Sequence, residues 1–445
     1  GRPLYAHGTD FGQPQADLNP VQKGLISAEG DIKSGGWEAK KIWQRMSAEA
    51  VDLMQGEFLI ENRHFRTNLN AFDWTWEVTE NGTVIQEGEL EAPDVEAGES
   101  GALIVPYDTA RWESGAHYFL KISMRLKEAQ PWAPEGYEMA WEQFRLPAAA
   151  PAIPVETEGE PLQLTESEDE IRLQNSRVAV AFDTRSGQLK SYKYQGEAYL
   201  AAPARLNFWR PPTDNDLASG MPERQAVWRI GEEDVRLEKL EVYRSGSSIQ
   251  LLAVHELKPN GSRVELRYEL YPSGELSVDY ALFPAPALPN TPRVGLQLEV
   301  PAELDQMEWF GRGPHESYAD KKLGAAYGRY QQSVKEDYVY YVRPQESSNK
   351  SEVFTLSLSD GEQRQLRVQA VGAPLSVSAW PYTQENITAA NRIEELETGQ
   401  TITLNIDYAQ MGVGGDNTWS LDARPHEPFR LPAQSYRYRF IISGE

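Results

Sequence analysis

Two histidine–glutamate pairs, His315-Glu316 in "RGPHESY" and His426-Glu427 in "RPHEPF", are the first candidates for chemistry, because an imidazole beside a carboxylate can relay a proton. Adjacent side chains on an extended strand point to opposite faces, so neither pair is preassembled for that task. The plainer reading of each is a loop corner pinned by proline and hydrogen bonds. Asp214 and Asp216 in "TDND" could contribute to a hard-cation site or simply form a turn. The six scattered His show no metal-ligand spacing, and the sequence holds no HExxH, phosphate loop, G-x-S-x-G elbow or Cys nucleophile. No metal site is read from the residues themselves.

The stretch "MGVGGDNTWS", residues 411–420, says more. Its glycines let the backbone turn closely, and Asp416 and Asn417 lead into Trp419 at what should be an exposed loop. A pyranose presents axial C–H groups to a flat indole while its hydroxyls reach carboxylate or amide oxygens, so Trp419, Asp416 and Asn417 form a candidate sugar platform. The competing reading makes Trp419 a core anchor, since most tryptophans are largely buried.

The elements that must position these residues are strands. With 445 residues, 40% of them hydrophobic, the chain has material for two or three domains. No apolar run reaches bilayer length, so no membrane partner is expected. A net charge of −24 opposes a phosphate backbone and argues against a nucleic-acid partner. The absence of Cys removes disulfides and thiolate zinc sites and fits a cytoplasmic location. The start, "GRPLYAHGTDFG", has neither signal-peptide organisation nor an initiating Met, and reads as a segment set free from a longer protein.

Period-two patterning with turn signals every eight to twelve residues predicts an all-β protein. Phe72, Trp74, Trp76 and Val78 alternate with polar residues before Asn81-Gly82, the signature of a tight hairpin. With "HYFLKISMRLK" they predict an immunoglobulin-like β-sandwich over 45–147. The Pro/Ala/acid-rich stretch at 148–162 reads as a linker, followed by a large antiparallel β-sandwich over 163–445. Its clearest hairpin runs from Val264, Leu266, Tyr268 and Leu270 through Pro272-Ser273-Gly274 to Leu276, Val278, Tyr280 and Leu282. A helix is predicted in "GGWEAKKIWQRM", with Ala39, Ile42, Trp43 and Met46 on one face.

Five ordered segments resemble the C-terminal portion of a glycoside hydrolase family 2 β-galactosidase of the large multidomain bacterial type. They are "FWRPPTDND" (208–216), "WFGRGPHESYADKKLGAAYGRY" (309–330), "YVRPQESSNK" (341–350), "PYTQENITAA" (381–390) and "MGVGGDNTWS…RPHEPFRL" (411–431). "HGTDFG" and the helix after it are similar to the end of the family's catalytic barrel, so the resemblance covers nearly the whole chain. It implies residues 1–44 as a remnant of a TIM barrel with its closing helix, and a large sandwich of the galactose-mutarotase-like kind.

The implied activity is hydrolysis of terminal non-reducing β-D-galactose by a retaining mechanism, whose two carboxyl groups stand roughly 5 Å apart. In the family both are glutamates of the barrel, so the resemblance implies no catalytic residue in this chain and a structural corner for "GRGPHESY". Trp419 matches the family's Trp at the mouth of the site, with Asp416 and Asn417 beside it. The family's Asn that touches galactose and a bound monovalent cation aligns with Lys23, and a Phe carbonyl with Pro20. An ammonium donates to a sugar hydroxyl but cannot coordinate a cation. The resemblance thus implies Mg and Na for the parent enzyme, with the Na site altered here, and no cofactor in this chain. Implied partners are a galactoside substrate or acceptor sugar and a catalytic barrel region or large subunit; homo-oligomerisation stays open. The alternative function is a non-catalytic carbohydrate-binding or subunit-assembly module.

Overall fold

A computed structural model describes residues 24–27, 29–109, 112, 115–148, 158–258 and 260–445. Strand pairing is antiparallel throughout them. The first sandwich sets a three-stranded sheet, containing Met46–Asp52, Glu57–Asn62 and Ser100–Ile104, against a four-stranded one built around Phe72–Glu80 and Tyr118–Leu126. Alternation decides which faces meet. Phe72, Trp74, Trp76 and Val78 are buried in a core running from Met46 to Leu146, while Asp73 on the same strand is exposed. The hairpin closes as its sequence predicts, with Glu80 opposite Thr83 and positive φ at both Asn81 (47°) and Gly82 (84°).

The second sandwich is larger. A five-stranded meander over 163–198, a five-stranded sheet containing Ala202–Asn207 and Arg293–Pro301, and a nine-stranded sheet enclose one core from Leu162 to Ile442. The predicted hairpin lies within the nine-stranded sheet in register: Val264 faces Leu282, Leu266 faces Tyr280, Tyr268 faces Val278 and Leu270 faces Leu276. The fold is therefore all-β, with two successive sandwiches.

Helix was read less well. The predicted helix spans Ser34–Trp43, and Met46 instead opens a strand opposite Asn62 and is wholly buried in the first core. Ile42 and Trp43, assigned to an apolar face, are 57% and 69% exposed. Polar anchors hold this helix: Glu38 accepts from the backbone N–H groups of Leu323 (3.1 Å) and Gly324 (2.7 Å), and Lys41 pairs with Glu142 (2.9 Å). Short helices also form at Asp214–Ala218, Met221–Arg224, Ala226–Glu233, Val334–Asp337 and Gln384–Ala389. The barrel-remnant reading of 1–44 falls mostly outside the described residues, as does most of the 148–162 linker. Among the described residues no helix is long and apolar enough to cross a membrane.

Candidate functional site

A cleft of about 620 Å³ opens on the large sandwich, and apart from Gly24 and Lys33 the residues that line it come from four of the motifs singled out above. Its foundation is Arg210. This wholly buried guanidinium forms two parallel bonds to Asp216 (3.0 and 2.9 Å) and donates to the carbonyls of Met411 (2.8 Å) and Gly412 (2.9 Å). Asp216 is thereby spent, and its carboxylate also accepts from Thr213 N–H (2.9 Å), closing a capping box at the start of Asp214–Ala218. Asp214 pairs with Arg343 (2.8 Å). "TDND" is thus neither a cation site nor a simple turn: it is a helix start whose acids are tied to arginines. No cluster of three or more metal-ligating side chains occurs among the described residues.

Glu316 lies beneath two residues of the cleft lining, Lys321 and Tyr341, and ties them together. It is buried and accepts from Ser34 Oγ (2.8 Å), Lys321 Nζ (2.8 Å), Ser348 N–H (2.8 Å) and the Tyr341 hydroxyl. Burial alone would raise its pKa, but the Lys321 ammonium and these hydrogen bonds outweigh it and hold the carboxyl at about 2. His315 points elsewhere, lying near-parallel to the Trp37 ring with centroids 6.1 Å apart. Burial, with Lys350 and Lys321 nearby, lowers its pKa to about 4, so it is neutral. The pair is a corner with its two side chains in separate environments. Behind it, Glu346 bonds Arg293 (2.8 Å), which also lies 3.2 Å from Asp407, all three fully buried. Burial raises both carboxyls, Asp407 to about 8.

The cleft's outer wall is the glycine loop. Asp320 accepts from Val413 N–H (3.0 Å) and Gly414 N–H (2.7 Å), and a Cβ on Gly412 would stand 2.4 Å from that carboxylate. At Gly415 a Cβ would meet the Ala423 carbonyl at 2.3 Å. Only glycine lets the chain pass so closely. Asn417 Oδ1 accepts from Trp419 N–H and Ser420 N–H (3.0 Å each), and its amide donates to Ser420 Oγ (2.8 Å). Asp416 takes its hydrogen bond from His426 Nε2 (2.8 Å), which gives the second His-Glu pair a place on the loop's outer side. Trp419 stands 68% exposed on the cleft wall and is no core anchor.

Of the sequence-derived site residues, Asp416, Asn417 and Trp419 come together on this wall. Lys23 lies outside the described residues, and so does Pro20. Lys321, Tyr341 and Arg343, which also line the cleft, were not singled out individually. Their signal lay in "YADKK" and "YVRPQ", where cations and tyrosines sit within turn-rich stretches.

The fold and this cleft define a tandem β-sandwich region whose larger sandwich carries a cleft edged by Trp419 and bordered by charged side chains. The chain belongs to the β-galactosidase small chain family, whose pattern it matches over residues 174–442, and residues 58–147 match domain 4 of β-galactosidase. It is 33% identical to a β-galactosidase of Priestia megaterium, over 99% of this chain and 43% of that protein. A β-galactosidase of Streptococcus thermophilus is 28% identical over 99% of this chain and 42% of its own length, and one of Lactobacillus delbrueckii subsp. bulgaricus is 30% identical over the same shares. The chain thus spans under half the length of these relatives. Among solved structures, a galactose 1-epimerase from Lactobacillus acidophilus aligns with 64% of this chain and 98% of its own, at 13% identity and a TM-score of 0.35.

Proposed function

We propose that this chain is the C-terminal part of a β-galactosidase, which releases terminal non-reducing β-D-galactose, and that it completes one side of the active-site cleft without supplying the two catalytic glutamates. The observation that carries this reading is Trp419, exposed on the wall of a cleft in a chain similar over nearly its whole length to proteins named β-galactosidase. The indole offers a stacking face for the aglycone or an acceptor sugar, and the galactosyl unit is held by a catalytic region that forms the opposite wall. Lys23 is the residue assigned by this reading to donate a hydrogen bond to a sugar hydroxyl.

The state of the cleft's carboxylates supports a division of labour. Retaining hydrolysis needs a protonated acid and a free carboxylate roughly 5 Å apart, both reaching the scissile bond. Here Asp214 is paired with Arg343, Glu346 is buried in a pair with Arg293, and Asp416 bonds His426 at an exposed edge. Each is committed to shaping the wall. The test is a chromogenic galactoside assay of the purified chain, alone and after mixing with the catalytic region. Turnover is expected in the mixture and not in the chain alone. In the mixture, Trp419→Ala should depress transfer to an acceptor sugar more than galactoside cleavage. Turnover by the chain alone, abolished by mutating an acid within it, would overturn the division of roles.

A further inference from the structure

The helices Asp214–Ala218 and Met221–Arg224 meet the segment that follows the Trp419 loop around a small cavity of about 50 Å³. It shares no lining residue with the Trp419 cleft. Three of the residues around it are arginines, Arg224, Arg424 and Arg430. Among the described residues none of the three forms an ion pair, in a chain whose 67 Asp and Glu outnumber its 43 Lys and Arg. Guanidinium groups gathered without carboxylates repel one another. Burial and then the Arg424 cation, with Arg430 adding to it, lower the pKa of Arg224 against the opposing pull of Asp216 and Glu223.

Two of these side chains are oriented by the backbone. Arg224 Nε donates to the Ser219 carbonyl (3.0 Å) and its Nη2 to Ser219 Oγ (3.2 Å), while Arg430 Nε donates to the Pro425 carbonyl (2.7 Å). These bonds use a minority of the N–H groups that a guanidinium carries, and the Arg424 side chain makes none to the described residues. Asp216 is the one carboxylate on the lining, and Arg210 and the Thr213 N–H already claim both its oxygens. The cavity is too small for a sugar, since small-molecule sites begin at roughly 300 Å³. Forked guanidiniums match the oxygens of a phosphate or carboxylate group.

We propose that Arg224, Arg424 and Arg430 bind one compact oxyanion, of the size and charge of inorganic phosphate. Bound there, it offsets the repulsion among the three cations and joins Met221–Arg224 to the segment that follows Trp419. The rival occupant is a carboxylate side chain of the catalytic region.

The site stands apart from the galactosidase reading, so its test uses the chain alone and no galactoside. Inorganic phosphate is titrated into the native chain at constant ionic strength, balanced with sodium chloride, and followed by calorimetry and by melting temperature. The expected result is saturable binding of one phosphate per chain with a matching rise in melting temperature. Arg424→Gln removes a cation that its neighbours repel, so without phosphate its melting temperature should hold or rise, while phosphate affinity should fall at least about tenfold. Should that variant misfold, Arg430→Gln gives the same reading. Phosphate also stabilises folded chains through its exclusion from their surface, and that effect raises native and variant proteins alike. A rise that does not saturate, or equal affinity in native and variant chains, would therefore refute the site. No binding by the native chain, together with weaker assembly of Arg424→Gln with the catalytic region, would give the cluster to a partner carboxylate and overturn the proposal.

Discussion

On the cleft wall, Trp419 has little packing to lose. Trp419→Ala should leave the melting temperature of the chain almost unchanged. Trp228→Ala, which empties a wholly buried site and frees the Pro289 carbonyl that its indole bonds at 3.0 Å, should cost about 3–5 kcal/mol by thermal unfolding. Glu316 makes a pH-dependent contribution. Its carboxyl is held at about 2 against an ordinary 4.5, so as pH falls the unfolded chain takes up the proton first. Stability from this group is complete above pH about 5 and is lost as pH falls towards 2, amounting to about 3 kcal/mol. Melting curves across that range should show the loss in the native chain, and Glu316→Gln should flatten it while destabilising the neutral protein by leaving Lys321 unpaired. Little of this was legible beforehand. The residue types around Trp419 pointed to an exposed loop, but Glu316 meets Ser34 from 282 residues away and Asp214 meets Arg343 from 129, separations that no local pattern encodes.

At the scale of single elements, turn and cap chemistry is local and correspondingly readable. Asn81-Gly82 announced its hairpin because few residues adopt positive φ at both central positions. Gly82 has a second duty that the sequence conceals: a Cβ there would stand 2.7 Å from Arg329 N, on a strand of the other sandwich. Gly82→Ala should therefore exceed the ~1 kcal/mol of a plain positive-φ substitution, measured by urea unfolding, because it also pushes the two sandwiches apart. Thr213→Ala tests the cap at the cleft. It removes one half of the box with Asp216 and should cost about 1 kcal/mol, with the Arg210–Asp216 pair keeping the segment in place. The one predicted helix ends early for a reason outside itself. Met46 has helical spacing from Ile42 and Trp43, yet pairing with Asn62 claims it for a sheet, and tertiary register overrides a short amphipathic pattern.

Across the whole molecule, alternation was enough to separate two hydrophobic cores, since each sandwich buries its own inward faces. What joins them was not readable, because it is a small aromatic cluster drawn from strands whose outward faces otherwise look like surface. Phe119 of the first sandwich stacks on Tyr327 with centroids 4.2 Å apart, His117 lies 3.9 Å from the Phe354 ring, and Phe310 stacks on Phe354 at 5.1 Å. Gln143 adds a two-way bond to the Tyr327 backbone (2.7 and 2.9 Å). Phe354 is the hub of this cluster, buried to 5% exposure yet outside both main cores. Removing it should weaken the junction by about 3–5 kcal/mol without hollowing either core. Calorimetry of the native chain should then show the two sandwiches unfolding together, and Phe354→Ala should resolve them into separate transitions. A single transition that merely moves to lower temperature in Phe354→Ala would place the coupling elsewhere. A further bridge is the helix Ser34–Trp43, which holds Glu142 of one sandwich through Lys41 and the Leu323–Gly324 backbone of the other through Glu38. Glu38→Ala combined with Phe354→Ala distinguishes the two routes, because only a helix-borne coupling would leave the transition whole until both are removed.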